Sequence, residues 1–197
     1  FMAYPTISGP YGLKPTGKIG GRADNGANRN ISIASGYATN IFFGDPVGLT
    51  AAGTIEFETP DAAMAPVGVF LGCFYTDATN GPTYSQYWPA STVASDAVAY
   101  VCDDPDQLFK VAVVSSGTTI GDFALTDVGL NAAMVNNTGS TVTGNSKAAI
   151  SDTAATTNTL PLRIVDLVEE TKNSSGGFTE AIVKWNAGHS YDNTTGV

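Results

Sequence analysis

The chain has 197 residues, enough for one sizeable core or two small, closely joined lobes. Apolar residues make up 43 % and charged residues only 14 %; glycine, serine, threonine, asparagine and alanine fill the difference, a mixture suited to β-structure with many turns. The net charge of −9 argues against a nucleic-acid partner, whose phosphates it would repel, and no apolar run approaches the ~20 residues of a membrane-spanning helix.

Residues 1–29 read as an extended arm. Gly9-Pro10, Gly12, Pro15, Gly17 and Gly20-Gly21 interrupt any helix and leave backbone amides that can join a sheet edge. Lys14, Lys18, Arg22 and Arg29 stand there against Asp24 alone, whereas the rest of the chain carries five basic and seventeen acidic side chains. A basic arm on an acidic body is expected to lie across an acidic neighbour, another copy of the chain included. The first thirty residues hold no continuous apolar stretch, so no secretory signal is expected.

From Ile31 the pattern is that of strands. Ile31-Ser32-Ile33 alternates, Ile41-Phe42-Phe43 is a short buried run, and Gly44-Asp45-Pro46 marks a turn before Val47-Gly48-Leu49. Residues 54–59 alternate as one arm of a hairpin, and residues 67–75, rich in branched and aromatic side chains, predict a central strand buried on both faces. Residues 96–102 and 108–114 predict two further strands joined by the acidic turn Asp103-Asp104-Pro105-Asp106. The tract 136–159 predicts weakly paired strands or an exposed loop. Helical periodicity is poor, the best candidates being short turns near residues 92–95 and 104–108.

A pattern recurs. Ser35-Gly36 leads to Gly44-Asp45-Pro46, and Ser116-Gly117 leads to Gly121-Asp122-Phe123; each copy then reaches an apolar run opening at Pro66 or Pro161 and closes near Trp88 or Trp185. This predicts an all-β protein built from an internal duplication, with an arm at 1–29, a first β unit at 30–95, a second at 96–187 and a polar tail at 188–197. The alternative is two β-meanders with similar turn chemistry.

Catalytic vocabulary is sparse. His189, the only histidine, lies in the polar tail, where a solvated side chain is expected rather than a catalytic base. Asp103, Asp104 and Asp106 could hold a hard cation, but their spacing is not that of an EF-hand, and a solvated acidic turn is the expectation. No phosphate loop, dinucleotide fingerprint or zinc spacing occurs. Neither an enzyme nor a bound cofactor is therefore expected. Cys73 and Cys102 sit in apolar runs and are expected to be reduced core residues. Trp88 and Trp185, with Tyr84, Tyr87 and Tyr100, could form a sugar-stacking platform; their recurrence favours core or interface packing.

The segments Pro10-Tyr11-Gly12-Leu13-Lys14-Pro15, Ile19-Gly20-Gly21, residues 34–41 and Gly44-Asp45-Pro46-Val47 resemble the head decoration, or cement, proteins of tailed bacteriophages. That resemblance implies a β-barrel or β-tulip-like protein of the virion, made in the host cytoplasm. It would sit on the outer surface of an icosahedral capsid and cement adjacent subunits of the major capsid protein. It also implies contacts with other copies of the chain and a partner-binding role for the arm residues Tyr11, Leu13, Lys14, Lys18, Arg22 and Arg29. Deleting residues 1–22 should then leave a folded body that no longer binds capsids. The alternative role is a receptor- or glycan-binding β-module of a phage tail or fibre.

Overall fold

Short apolar and alternating segments separated by glycine turns leave the chain one way to satisfy its backbone, which is pairing between strands. The computed structural model describes residues 7–171 and 176–192. Residues 1–6 of the arm and 193–197 of the tail lie outside the described residues. The protein is nearly all β. A 3₁₀ turn at Leu125–Asp127 is the one helical element among the described residues, and neither predicted helical turn forms a helix.

Strands β1 (Lys14–Lys18) and β2 (Arg22–Ala23) open the chain. Next come β3 (Arg29–Ser32), β4 (Pro46–Leu49), β5 (Ile55–Phe57), β6 (Gly68–Asp77), β7 (Gly81–Ser85) and β8 (Val98–Cys102). These six form one antiparallel sheet in the order β3-β8-β6-β4-β5, with β7 folded back on β6. The sheet curls until a single parallel bridge, Ile33 to Ile55, joins its two ends. Its interior is filled by Ile41, Val47, Ile55, Phe70 and Trp88.

The second half comprises β9 (Gln107–Ser116), β10 (Thr119–Ile120), β11 (Asn131–Ala132), β12 (Met134–Val135), β13 (Ala149–Ser151), β14 (Leu162–Leu167) and β15 (Glu180–Trp185). Strands run β11-β14-β15-β9-β1-β2, with β10 and β13 also on β9 and β12 on β13. Only the β13–β9 ladder is parallel. Phe109, Phe123, Ile150, Ile164 and Trp185 fill this core, and Val69 and Cys102 from the first half pack into it. The two halves thus share apolar contacts at their join.

The pairing order is the same in both halves when β11 and β12 are taken as one strand interrupted at Ala133. First strand pairs with fifth, fifth with fourth, fourth with second, second with third, and the third lies parallel to the first. In this count the first half contributes β3, β4, β5, β6 and β8, with β7 an addition. Pairing is not continuous around either circuit, since one meets itself at a single bridge and the other breaks at Ala133. The division expected at residues 95/96 is displaced: β8 pairs with β3 and β6, so the halves meet at the acidic turn 103–106. The tryptophans are not equivalent positions either. Trp185 ends the fifth strand opposite Leu162, whereas Trp88 lies between β7 and β8 and bridges Ile41.

The arm adds a strand to a sheet, but to the protein's own. β1 pairs along β9 from Lys14 opposite Lys110 to Lys18 opposite Gln107, and a register shift between Pro15 and Gly17 accommodates the proline, which has no N–H to donate. Leu13 is 0 % exposed in the second core. Gly12 N–H donates to Ala148 O at 3.0 Å and Leu13 N–H to Gly44 O at 2.9 Å. Glycine is required at 12, where φ is +79° and a Cβ would lie 2.7 Å from both Gly44 O and Ser146 Cβ. Cys73 faces Ala99 and Cys102 faces Val69 across the β6–β8 ladder, so the buried cysteines remain unbonded, and burial pushes both thiols up to about 12.

Candidate functional site

The basic residues of the arm meet the acidic turn of the same chain. Lys18 Nζ lies 2.6 Å from Asp104 Oδ2, Arg22 Nη2 3.0 Å from Asp106 Oδ2 and Arg29 Nε 2.7 Å from Asp103 Oδ2. All three carboxylates of the turn are therefore neutralised by side chains of the arm, which answers the candidate cation site with an internal cation at each position. Lys18, followed by the backbone N–H of Asp106, holds the Asp104 carboxyl below the usual carboxylate range. Surface pairs of this kind, from half-buried to exposed, contribute roughly 0–1 kcal/mol each, so the clasp fixes geometry more than it adds stability. Tyr191 joins it, donating its hydroxyl to Asp103 at 3.0 Å, with the Arg29 guanidinium 5.2 Å from its ring centroid.

Tyr11 and Leu13 of the arm point inward. Tyr11 is half-buried and donates its hydroxyl to Glu180, a buried carboxylate that also pairs with Lys110 Nζ at 3.3 Å. Burial first, then the Glu180 hydrogen bond and charge, drives the Tyr11 phenol far above its ordinary value. The Lys14 ammonium sits 4.3 Å from the Tyr11 ring centroid. Of the six arm residues predicted to contact a partner, only Lys14, Arg22 and Arg29 are exposed; Leu13 is core.

Between the internal strand β1 and the start of the first half, residues 19–30 run exposed at every position. This ribbon contains β2, the last strand of the nine-stranded sheet, whose one partner among the described residues is β1. It links one sheet to the other and supplies Arg22 and Arg29 to the ion-pair clasp. Its outer edge offers backbone donors and acceptors for a further strand.

His189 overturns the expectation of a solvated tail residue. It is 0 % exposed, packed 6.3 Å from Trp185 and 5.4 Å from Tyr191, ring centroid to centroid. Gly188, at φ +83°, makes this possible by passing so close to Met64 that a Cβ would lie 1.9 Å from the carbonyl oxygen. Ser190 N–H then donates to Pro66 O at 2.9 Å, strapping residues 188–192 to the body. Nδ1 accepts the Tyr191 N–H at 3.3 Å, and burial lowers the imidazole pKa against the opposing pull of Asp192, Asp103 and the Val67 carbonyl.

Asp45 was legible only as part of a turn, yet it is 3 % exposed. Its Oδ2 accepts the Phe42 N–H at 2.8 Å, but desolvation outweighs the hydrogen bonds from Ser146 and Phe42 and raises the carboxyl pKa to about 6. The folded protein thus holds this proton through a range in which the unfolded chain, near 3.8, has lost it. The associated stability is full below the unfolded value and is lost as pH rises through about 6, an effect on the order of 3 kcal/mol at most. His189 acts oppositely, its lowered pKa removing stability as pH falls below the unfolded value of 6.5. Asp45→Asn keeps an acceptor for Phe42 and removes only the first effect. Urea unfolding at pH 4 and pH 7.5 is expected to show the variant gaining on the wild type at the higher pH, and parallel profiles would refute this assignment.

Both tryptophans are core residues, Trp88 in the first half and Trp185 in the second, so neither offers a sugar-stacking face. Tyr84 is exposed and packs its ring against Phe74 at 4.8 Å. Among the described residues no cluster of three histidine, cysteine or acidic side chains has the geometry to hold a metal ion. No helix among the described residues is long and apolar enough to cross a membrane. No protein-family model, curated protein or solved structure matches the chain.

Proposed function

We propose that this chain is a virion structural protein that decorates the outer surface of an icosahedral phage capsid and cements neighbouring subunits of the major capsid protein. In this reading each half is a small barrel-like unit of tulip type, and the common pairing order of the halves reflects duplication of one ancestral unit. Two like units in one chain present two similar surfaces, which suits bridging of repeated capsid subunits, and many weak contacts over a shell act together.

The observation that carries the proposal is the exposed ribbon 19–30 with the edge strand β2. A capsid strand added beside β2 would gain main-chain hydrogen bonds without disturbing the core. Of the basic residues that the sequence suggested for a partner, Lys18, Arg22 and Arg29 are committed to the clasp, and their role here is to hold the ribbon in a defined place.

Cryo-electron microscopy of purified protein mixed with expanded capsids lacking it is expected to show ordered density at capsomer junctions, with ribbon 19–30 at the contact. Ile19→Ser with Arg22→Ser should lower occupancy about tenfold while leaving the melting curve close to wild type, because both side chains are exposed. Bare shells with wild-type protein would overturn the capsid role, and full occupancy by the variant would overturn the role of the ribbon.

A further inference from the structure

A cavity of about 210 Å³ opens at the seam between the halves, walled by residues 39–57 of the first and 136–139 of the second. It falls below the ~300–1,000 Å³ of drug-sized sites, which restricts it to a single small ring. Asp45 lines it with a buried carboxyl group. Asn40 lines it too; its Oδ1 is occupied by the Ala90 N–H at 2.7 Å, which leaves its NH₂ group as a donor. The hydroxyls of Thr39 and Thr138 and the amide of Asn136 complete the polar wall.

The apolar side is fixed in place. Phe42 stacks on Tyr87 with centroids 5.6 Å apart and planes 19° apart. Gly139 presses on the same ring so closely that a Cβ would lie 2.3 Å from it, and Phe57 forms the rest of the apolar wall. One acceptor, several donors and hydroxyls, and an aromatic wall are the complement of a ring that carries hydroxyls around its rim and C–H groups on its face. An anion would meet the Asp45 carboxyl, and the chain's net charge of −9 opposes it further. A hard cation such as calcium needs about six to eight oxygens, and this wall has one carboxylate.

We propose that the seam cavity binds one neutral pyranose, with Asp45 accepting from its hydroxyls, Asn40 donating to them and half-buried Phe57 covering its C–H face. This site is separate from ribbon 19–30 and does not depend on the capsid role. The test is saturation-transfer NMR with glucose, galactose, mannose and N-acetylglucosamine, each titrated alone. At least one is expected to bind saturably in the millimolar range. Asp45→Asn, which keeps the acceptor for Phe42, and Asn136→Trp, at an exposed position of the wall, should each weaken that binding about tenfold or more. Should Asp45→Asn fail to fold, Asn136→Trp alone decides the matter. Absence of binding by all four sugars would overturn the proposal, as would binding unchanged in the variants. A stabilising shift with calcium chloride alone, lost on blocking the cavity, would overturn it in favour of a cation site.

Discussion

Removal of residues 1–22 is expected to abolish cooperative unfolding, because it takes away a paired strand of the larger sheet and a leucine of the second core. The deletion strips β1 from β9 and removes Leu13 from the second core, together with the Gly12 and Leu13 bonds to Ala148 and Gly44. Leu13→Ala alone should cost about 2–5 kcal/mol for a fully buried leucine, against a total of roughly 5–15 kcal/mol for a domain. Circular-dichroism melts of the truncated chain and of Leu13→Ala provide the check. A truncated protein that melts as sharply and as high as the full chain would show that β1 is an accessory.

Trp88→Ala and Trp185→Ala should each destabilise by about 3–5 kcal/mol, since both rings are fully buried in aromatic contacts, Trp88 with Tyr75 and Trp185 with Phe109. The phenylalanine variants separate the two sites. Trp88 Nε1–H donates to Tyr37 O at 3.2 Å, so Trp88→Phe gives up this bond, leaving the carbonyl with the Ser91 N–H alone, and should cost about 0.5–1.5 kcal/mol more than its lost volume. Trp185 Nε1 has no acceptor among the described residues, so Trp185→Phe gives up no such bond there. Urea denaturation of the pair is expected to place Trp88→Phe clearly below Trp185→Phe; equal midpoints would mean that the Tyr37 bond contributes nothing.

Strands with strong periodicity were legible from residue order. The central strand expected over 67–75 is β6, and the pair expected over 96–102 and 108–114 are β8 and β9, because branched and aromatic residues at that density have few other stable arrangements. The place of strand β1 was not legible, since residues 14–18 read as part of an extended arm able to join a sheet edge, and no local pattern names β9 of the same chain as that edge. Ala148, Ala149 and Ile150 were lost in a tract of small polar residues, yet all three are fully buried where β13 runs parallel to β9. The acidic turn and the basic arm were each visible, but their pairing depends on β1 lying beside β9, a contact that no local pattern encodes. The polar tail concealed His189 for a similar reason: its burial follows from the close passage of Gly188 over Met64.

The pairing of β1 with β9 spans about ninety positions of the chain, from Lys18 to Gln107. During synthesis, strands β3 to β8 can all be made and paired before the edge that receives β1 exists. Loop closure over such a distance carries an entropic cost, so long-range contacts of this kind form late. A segment that precedes every strand of the first half is thereby among the last to be placed, and its docking couples completion of the second half to the burial of Leu13.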